Sequence, residues 1–472
     1  MLFSSFAYLT LFLPVVALAY ALCRRYGGST AGQACLLLAS VVFYAQSGSR
    51  NLLLLLASIA FNWLVVRRMA ATTVDRTRQL WLVLGLTANV GLLLAFKYLN
   101  FFAEALPLLG LPAVALPNWA FPLGISFFTL TQVMYLVDCY QGIGTPVSLF
   151  RHATFVSFFP YITSGPLVRA ESVIPQLQSP AAGEERLLMA CQGVFIIALG
   201  LAKKIVLADS FAQVADAGFS ATAALSTAEA WIFSLAYSLQ LYFDFSGYSD
   251  MALGSALLFG IRIPQNFNAP YLAASISEFW QRWHISLSQF ITNYLYTPIL
   301  RTMGRATLWT SALATVIAMG IAGLWHGPAL TFVVFGLMHG VALAINQRWR
   351  KYKRKLPWVV AWLITLVFVN AAFVVFRSPD LPSAMHMLGQ LLPHSHTGGM
   401  DTLIGVLPIS LSLVLQPVLY GTILAFVPLT SAQLTDRFRP TLLNCALTCV
   451  LLLLSALYMN SAVAKRFVYF AF

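Results

Sequence analysis

Two histidines stand in segments otherwise too apolar to hold them. His326 lies in "GIAGLWHGPALTFVVFGLMHG" (320–340) and His284 in "EFWQRWHISLSQF" (278–290). An imidazole taken out of water stays neutral near pH 7, so it can accept a proton from a hydroxyl and release it again. His326 is followed by Gly327-Pro328, which ends a helix and leaves backbone groups open to a ligand. A lone buried histidine is more often structural. One flanked by Trp325 and a helix break inside an apolar segment reads as functional, because intramembrane polar groups are costly. His284 has two readings. In one, Trp280, Trp283 and Tyr294 form an interfacial aromatic belt, with Glu278 and Arg282 paired at i, i+4. In the other, His284 lines the mouth of an internal tunnel.

A third group is "LQLYFDFSGYSDMALG" (239–254), where Tyr242, Asp244, Ser246, Tyr248 and Asp250 fall at every second position. That alternation suits a strand, but a lone strand cannot cross a bilayer. The pattern therefore predicts a helix interrupted near Gly247, turning these side chains toward a cavity. A hydrogen-bond knot that fixes helix packing is the alternative, and the two can coexist. Asn266, Asn268, Tyr271 and Ser286 extend the polar run to residue 286. There is no HExxH, GxSxG, Walker loop or creditable GxGxxG, which argues against metalloprotease, serine hydrolase and nucleotide-driven pump. The six cysteines show no CxxC or zinc spacing, and no metal site is expected. His386, His394 and His396 fall in a Pro- and Gly-rich stretch (377–402), read as a solvated surface loop with a short helix.

These residues must be positioned by apolar helices. The chain has 472 residues, 59% apolar and 9% charged, with mean hydropathy +0.79; soluble domains are ~25% charged. Twelve nearly uncharged windows are long enough for the hydrocarbon core: 3–22, 30–47, 51–66, 79–96, 119–137, 187–208, 228–243, 307–325, 328–346, 357–376, 407–428 and 440–461. The fold class is all-α polytopic membrane protein with roughly 11–13 transmembrane helices plus re-entrant elements. One such element is expected over 150–175, where Pro160, Gly165 and Pro166 cut an apolar run. The "GLMHG" run is a GxxxG that permits close helix contact. The net charge of +13 sits in short loops, at Arg24–Arg25, Arg67–Arg68 and "QRWRKYKRK" (347–355). That placement reads as cytoplasmic loops facing anionic lipid, not as nucleic-acid binding, and it puts the N-terminus outside. No cleavable signal peptide is expected.

In order and spacing, "YFDFSGYSDMALG", "IPQNFNAPYLAASISEFWQRWHISLSQFITNYLYTPI" and "GLWHGPALTFVVFGLMHG" resemble the membrane-bound O-acyltransferases, closest to the bacterial alginate O-acetyltransferase branch. "MLFSSFAYLTLFLPVV", "PLGISFFTLTQVMYLVDCYQG" (122–142), "FFPYITSGPLVR" (158–169), "LGLAKKIVLAD" (199–209) and the ending "RFVYFAF" (466–472) add to it. The resemblance implies one transmembrane domain over 1–472, with a less typical N-terminal part (1–115), a catalytic core (116–348) and C-terminal helices (357–472). It implies a central funnel narrowing to a tunnel. His326 would be the catalytic base and His284 the second functional histidine. Tyr242, Asp244, Ser246, Tyr248, Asp250, Asn268, Arg282, Trp283 and Trp325 would line or brace the substrate path. It further implies no bound cofactor, a cytoplasmic thioester donor such as acetyl-CoA, and an inner-membrane location in a bacterium. A periplasmic SGNH-type transferase would be the partner and an exported polysaccharide the acceptor. Residues 46–73 and 142–152 depart from the alginate pattern, so alginate, cellulose, peptidoglycan and other glycans all stay open.

Two other readings of the residues compete with this one. A proton-coupled transporter or flippase for a glycan or lipid-linked precursor would use Asp244, Asp250 and the histidines as a relay, and would favour inverted repeats, of which none is visible. A structural scaffold does not explain polar groups held at such cost.

Overall fold

The computed structural model describes residues 3–105, 112, 121–221, 225–352, 356–393 and 411–459. Among these residues the chain is helical, without a strand. It divides into two compact units, Met1–Ile197 with Met251–Pro264, and Ala198–Asp250 with Gln265–Phe472. Among the described residues, each of the twelve apolar windows coincides with a helix over most of its length. Eight helices among the described residues are long and apolar enough to cross a membrane.

In the first unit, the run Ala7–Ala45 has 39 residues. At ~1.5 Å per residue that is about 58 Å, roughly twice the hydrocarbon core. Helix α1 (Leu13–Ala45) accordingly leaves helical geometry at Gly28 (φ 73°, ψ −166°), which separates the legs matching windows 3–22 and 30–47. A side chain at that φ would be strained. Just before the bend, Arg24 donates to the Ala181 and Pro180 carbonyls at 2.8 and 3.1 Å. Helices α2 (Ser49–Ala70), α3 (Asp75–Ala105) and α4 (Ile125–Tyr140) follow. Where apolar surface gives helices no preference for one another over lipid, polar contacts specify the pairing. Asn62 and Asn89 exchange amide hydrogen bonds (2.7 and 3.3 Å) between α2 and α3. Gln132 of α4 donates to Ser58 of α2 at 2.8 Å.

Helices α5 (Leu149–Ser157) and α6 (Ala170–Gln178) have nine residues each, too short to cross a bilayer. They flank a buried irregular stretch over 158–169, as Pro160, Gly165 and Pro166 predict. Arg169 closes this element with an ion pair to Asp138 of α4 at 3.1 Å. Helix α7 (Gly183–Leu201) meets Gly254 at Gly193, where a Cβ would come within 2.7 Å of the Gly254 carbonyl oxygen.

In the second unit, a π-helical turn (Ala202–Ala208) leads into α8 (Asp209–Ser220). Helix α9 (Thr227–Leu257) is one continuous helix of 31 residues. The interruption expected near Gly247 does not occur. Gly247 is there for close approach, because a Cβ at that position would lie 2.6 Å from the Gly200 carbonyl oxygen and 3.0 Å from the Lys204 nitrogen. On a helix the alternating residues divide between two faces, Tyr242, Ser246 and Asp250 on one and Asp244 and Tyr248 on the other. All five are buried, so the segment is interior all round.

Short helices α10 (Ile276–Arg282), α11 (Ile285–Phe290) and α12 (Thr297–Thr302) precede the hairpin of α13 (Leu308–His326) and α14 (Leu330–Lys351). Glycines set how closely the hairpin packs. A Cβ at Gly323 would meet the Phe332 carbonyl oxygen at 2.3 Å, and one at Gly336 the Met319 carbonyl oxygen at 2.4 Å. Gly340 is similarly tight against Val316, so both glycines of "GLMHG" make the close contact expected of them. Helices α15 (Trp358–Arg377), α16 (Leu381–Gln390), α17 (Leu411–Ala425), α18 (Ser431–Arg437) and α19 (Leu442–Met459) complete the unit. His386 is exposed on α16, the short helix expected in that loop. His394, His396 and the "RFVYFAF" ending lie outside the described residues.

Candidate active site

The corner that carries His284 is built by capping. Ser275 Oγ accepts from the Glu278 N–H at 3.2 Å and starts α10. Glu278 reaches back to the Ala274 N–H (2.9 Å) and pairs with Arg282 one turn on at 2.7 Å. Arg282 donates to the Asn268 carbonyl at 3.3 Å, while the Asn268 N–H donates to the Arg282 carbonyl at 2.9 Å. On the other side of His284, the Ile285 N–H donates to the Asn266 carbonyl at 3.0 Å. Asn266 Oδ1 accepts from the Ser286 N–H and hydroxyl at 3.1 and 2.6 Å. Residues 266–268 thus clamp the chain on both sides of His284. The clamp holds His284 in the left-handed region (φ 43°, ψ 55°), which a non-glycine residue adopts at a cost of order 1–2 kcal/mol. Such outliers persist where their surroundings over-determine them and cluster at functional sites.

His326 is the last residue of α13, and the helix ends at Gly327 as Gly327-Pro328 predicts. Gly327 has no room for a side chain, since a Cβ there would sit 2.3 Å from the Phe332 ring. The His326 ring packs edge-on against Phe376 (5.2 Å) and Phe335 (6.0 Å), and Trp325 lies 5.0 Å away. The His284 ring packs edge-on against Phe245 of α9 at 4.7 Å.

The two histidines line one cavity of about 10 Å³, together with Leu241, Trp280, Trp283, Leu287, Phe335, Phe373 and Phe376. That volume admits about one water. His284 is 1% and His326 6% exposed, and Trp280 and Trp283 are 7% and 3% exposed. These tryptophans are core residues, which excludes the interfacial-belt reading for them. Tyr294 is half-buried and stacks on Phe290 at 5.3 Å.

The remaining expected site residues fall in different places. Trp283 lines the cavity, and Tyr242 packs beside it against Phe267, Tyr271 and Trp283 at 5.4–6.3 Å. Asn268 and Arg282 belong to the clamp. Trp325 adjoins His326, while Ser246 and Tyr248 are buried in α9. Asp244 and Asp250 face lysines. Asp244 pairs with Lys204 at 2.9 Å, and Lys204 also bonds Asp209. Asp250 pairs with Lys203 at 2.8 Å and accepts from Ser431 at 2.7 Å.

Sequence reasoning missed Lys203 and Lys204 as partners, although "LGLAKKIVLAD" places two lysines and Asp209 in an apolar segment. It also missed Asn266 as the clamp, and Phe373 and Phe376 of α15 as cavity walls. His339, within "GLMHG", was visible only as part of a glycine motif. Among the described residues, no three His, Cys, Asp or Glu side chains converge to hold a metal ion.

A model of the membrane-bound O-acyltransferase family matches residues 114–378. The chain is 39% identical to a peptidoglycan O-acetyltransferase of Helicobacter pylori, over 82% of this chain and 79% of that one. It is 38% identical to a probable alginate O-acetylase of Azotobacter vinelandii, over 82% and 77%. A teichoic acid D-alanyltransferase of Streptococcus thermophilus is 33% identical over 49% of this chain and 58% of that one.

Proposed function

The chain belongs to the membrane-bound O-acyltransferase family and is an acyltransferase; on that premise we propose that it moves an acetyl group from a cytoplasmic thioester, acetyl-CoA or a carrier-protein thioester, toward an exported polysaccharide. The observation that carries this reading is the meeting of His284 and His326, from separate segments, in one small aromatic cavity.

In this mechanism His326 accepts the proton of the attacking hydroxyl as its oxygen bonds to the thioester carbonyl carbon. His284 orients that hydroxyl or donates to the oxygen that becomes negative. The carbon–sulfur bond then breaks, and His326 returns the proton to the departing thiolate. The products are an O-acyl ester and a free thiol. The dry aromatic wall serves the reaction by keeping out water, which would hydrolyse the thioester.

The final acceptor, reached after the acyl group has passed to the outer face, is a glycan hydroxyl, in keeping with relatives whose names specify alginate and peptidoglycan. A periplasmic SGNH-type transferase completes the modification outside. Charge supports an inner-membrane orientation with the basic turns in the cytoplasm. Two helical legs separate Arg24–Arg25 from Arg67–Arg68, which supports assigning both pairs to one side. The proton-relay alternative is weakened, because Asp244 and Asp250 are engaged by Lys204 and Lys203.

The test uses membranes of the host strain, with the gene deleted and restored, supplied with acetyl-labelled thioester. Label should pass to exported glycan with the wild type and not with His326→Ala. Equal labelling by both would reject the reading.

A further inference from the structure

A cavity with room for about one water leaves little space for the acyl group that must react there. Beside it lies a second pocket of about 450 Å³, whose lining includes Gln281, Gln289, Thr292 and Asn293. Trp280 is the residue common to the two linings. Trp280 therefore borders both spaces, and its indole is the bulk that a truncation would remove there.

That indole is latched. Trp280 Nε1–H donates to His339 Nδ1 at 3.1 Å. Nδ1 thus accepts, and the ring proton of neutral His339 resides on Nε2. His339 is fully buried and held by rings, parallel to Phe279 at 6.2 Å and edge-on to Phe335 at 4.6 Å and Phe368 at 5.3 Å. The acceptor cannot swing away without repacking all three. Other sides of the cavity are closed by aromatic contacts, Trp283 on Phe373 at 5.1 Å and Phe335 on Phe376 at 5.0 Å. Trp280 is a wall residue that also borders open volume.

We infer that Trp280 is the specificity-determining residue that limits the acyl group to acetyl size, and that His339 is the positioning residue that holds Trp280 across the larger pocket. The inference rests on the acyl-transfer reading above. A butyryl or hexanoyl chain has to extend past the indole, and each methylene without a place in a tight pocket costs about tenfold or more in rate. Trp280→Ala joins the two spaces. Trp280→Phe keeps most of the bulk and loses the latch. His339→Leu removes the acceptor, while His339→Asn returns an oxygen near the position of Nδ1.

The experiment compares acetyl, butyryl and hexanoyl transfer in host-strain membranes, from coenzyme A and carrier-protein thioesters, with glycan-bound acyl groups identified by mass. The butyryl-to-acetyl ratio should rise at least about tenfold in Trp280→Ala. Trp280→Phe and His339→Leu should give smaller rises, and His339→Asn should return the ratio toward wild type. If Trp280→Ala does not insert, the other three variants decide. Transfer of hexanoyl by the wild type as fast as acetyl would overturn the inference, as would an unchanged ratio in the variants that still transfer acetyl. A wild type that transfers no acyl group at all would instead overturn the acyl-transfer reading, and this inference with it.

Discussion

Lys204→Met removes the ammonium that both Asp209 and Asp244 face. The three side chains are 3%, 1% and 1% exposed, so water cannot take the place of the lost cation. Stripping one partner from a buried ion pair costs about 3–5 kcal/mol, most of it the penalty of an uncompensated charge. Asp244→Asn is the gentler change. It leaves Lys204 paired with Asp209 and keeps an amide oxygen for Lys204, at a cost on the order of 1–2 kcal/mol. The double variant Lys204→Met/Asp244→Asn should be more stable than Lys204→Met alone, because it removes one of the two stranded carboxylates. Unfolding of the detergent-solubilised protein, followed by tryptophan fluorescence, gives the ranking. Transfer kinetics on the same preparations supply the second readout. If the cluster braces α9 against the turn at 202–208, stability falls from wild type through Asp244→Asn and the double variant to Lys204→Met, while KM for the thioester stays near wild type. A Lys204→Met protein as stable as wild type would refute the argument. So would an Asp244→Asn protein of full stability with a raised KM, which would put Asp244 on the substrate path.

Other consequences can be measured in the same way. Asn266→Ala strands the Ser286 N–H and hydroxyl and should cost about 1–3 kcal/mol; by loosening the clamp it should lower kcat more than it raises KM, and unchanged kcat would count against the clamp. His284→Asn should be more stable than His284→Ala by about 1 kcal/mol, because asparagine tolerates the left-handed backbone better, although both should lose transfer activity. Gly336→Ala should push α13 from α14 and destabilise by about 1–3 kcal/mol, whereas Gly91→Ala, with nothing within 4 Å of its Cβ, should be neutral or stabilising. Equal effects at the two glycines would contradict the packing argument.

The helical fold was readable because a bilayer leaves few alternatives. An uncharged window of about twenty residues must pair its own backbone groups, and among the described residues each window expected to do so coincides with a helix. His284 and His326 stand out in the sequence for a related reason, since a polar ring in an apolar segment is costly unless it is used, and the fold brings both to one cavity. Where spacing had to stand for distance, the sequence was silent. Asp244 finds Lys204 on a different element, and no local pattern states that they meet. Gly247 was ambiguous between a helix break and a close approach, and the neighbouring Gly200 carbonyl decided for the latter. Trp280 and Trp283 have the composition of an interfacial belt. Only the packing of Phe279 and Phe373 against them shows that they face inward.

The most direct test of the two-histidine site is the O-acetyl content of the exported polysaccharide in cells whose gene carries His326→Ala, with membrane insertion of the variant verified. The account predicts that O-acetylation is lost while the polymer is still made and exported. Full O-acetylation by an inserted, folded His326→Ala protein would contradict it.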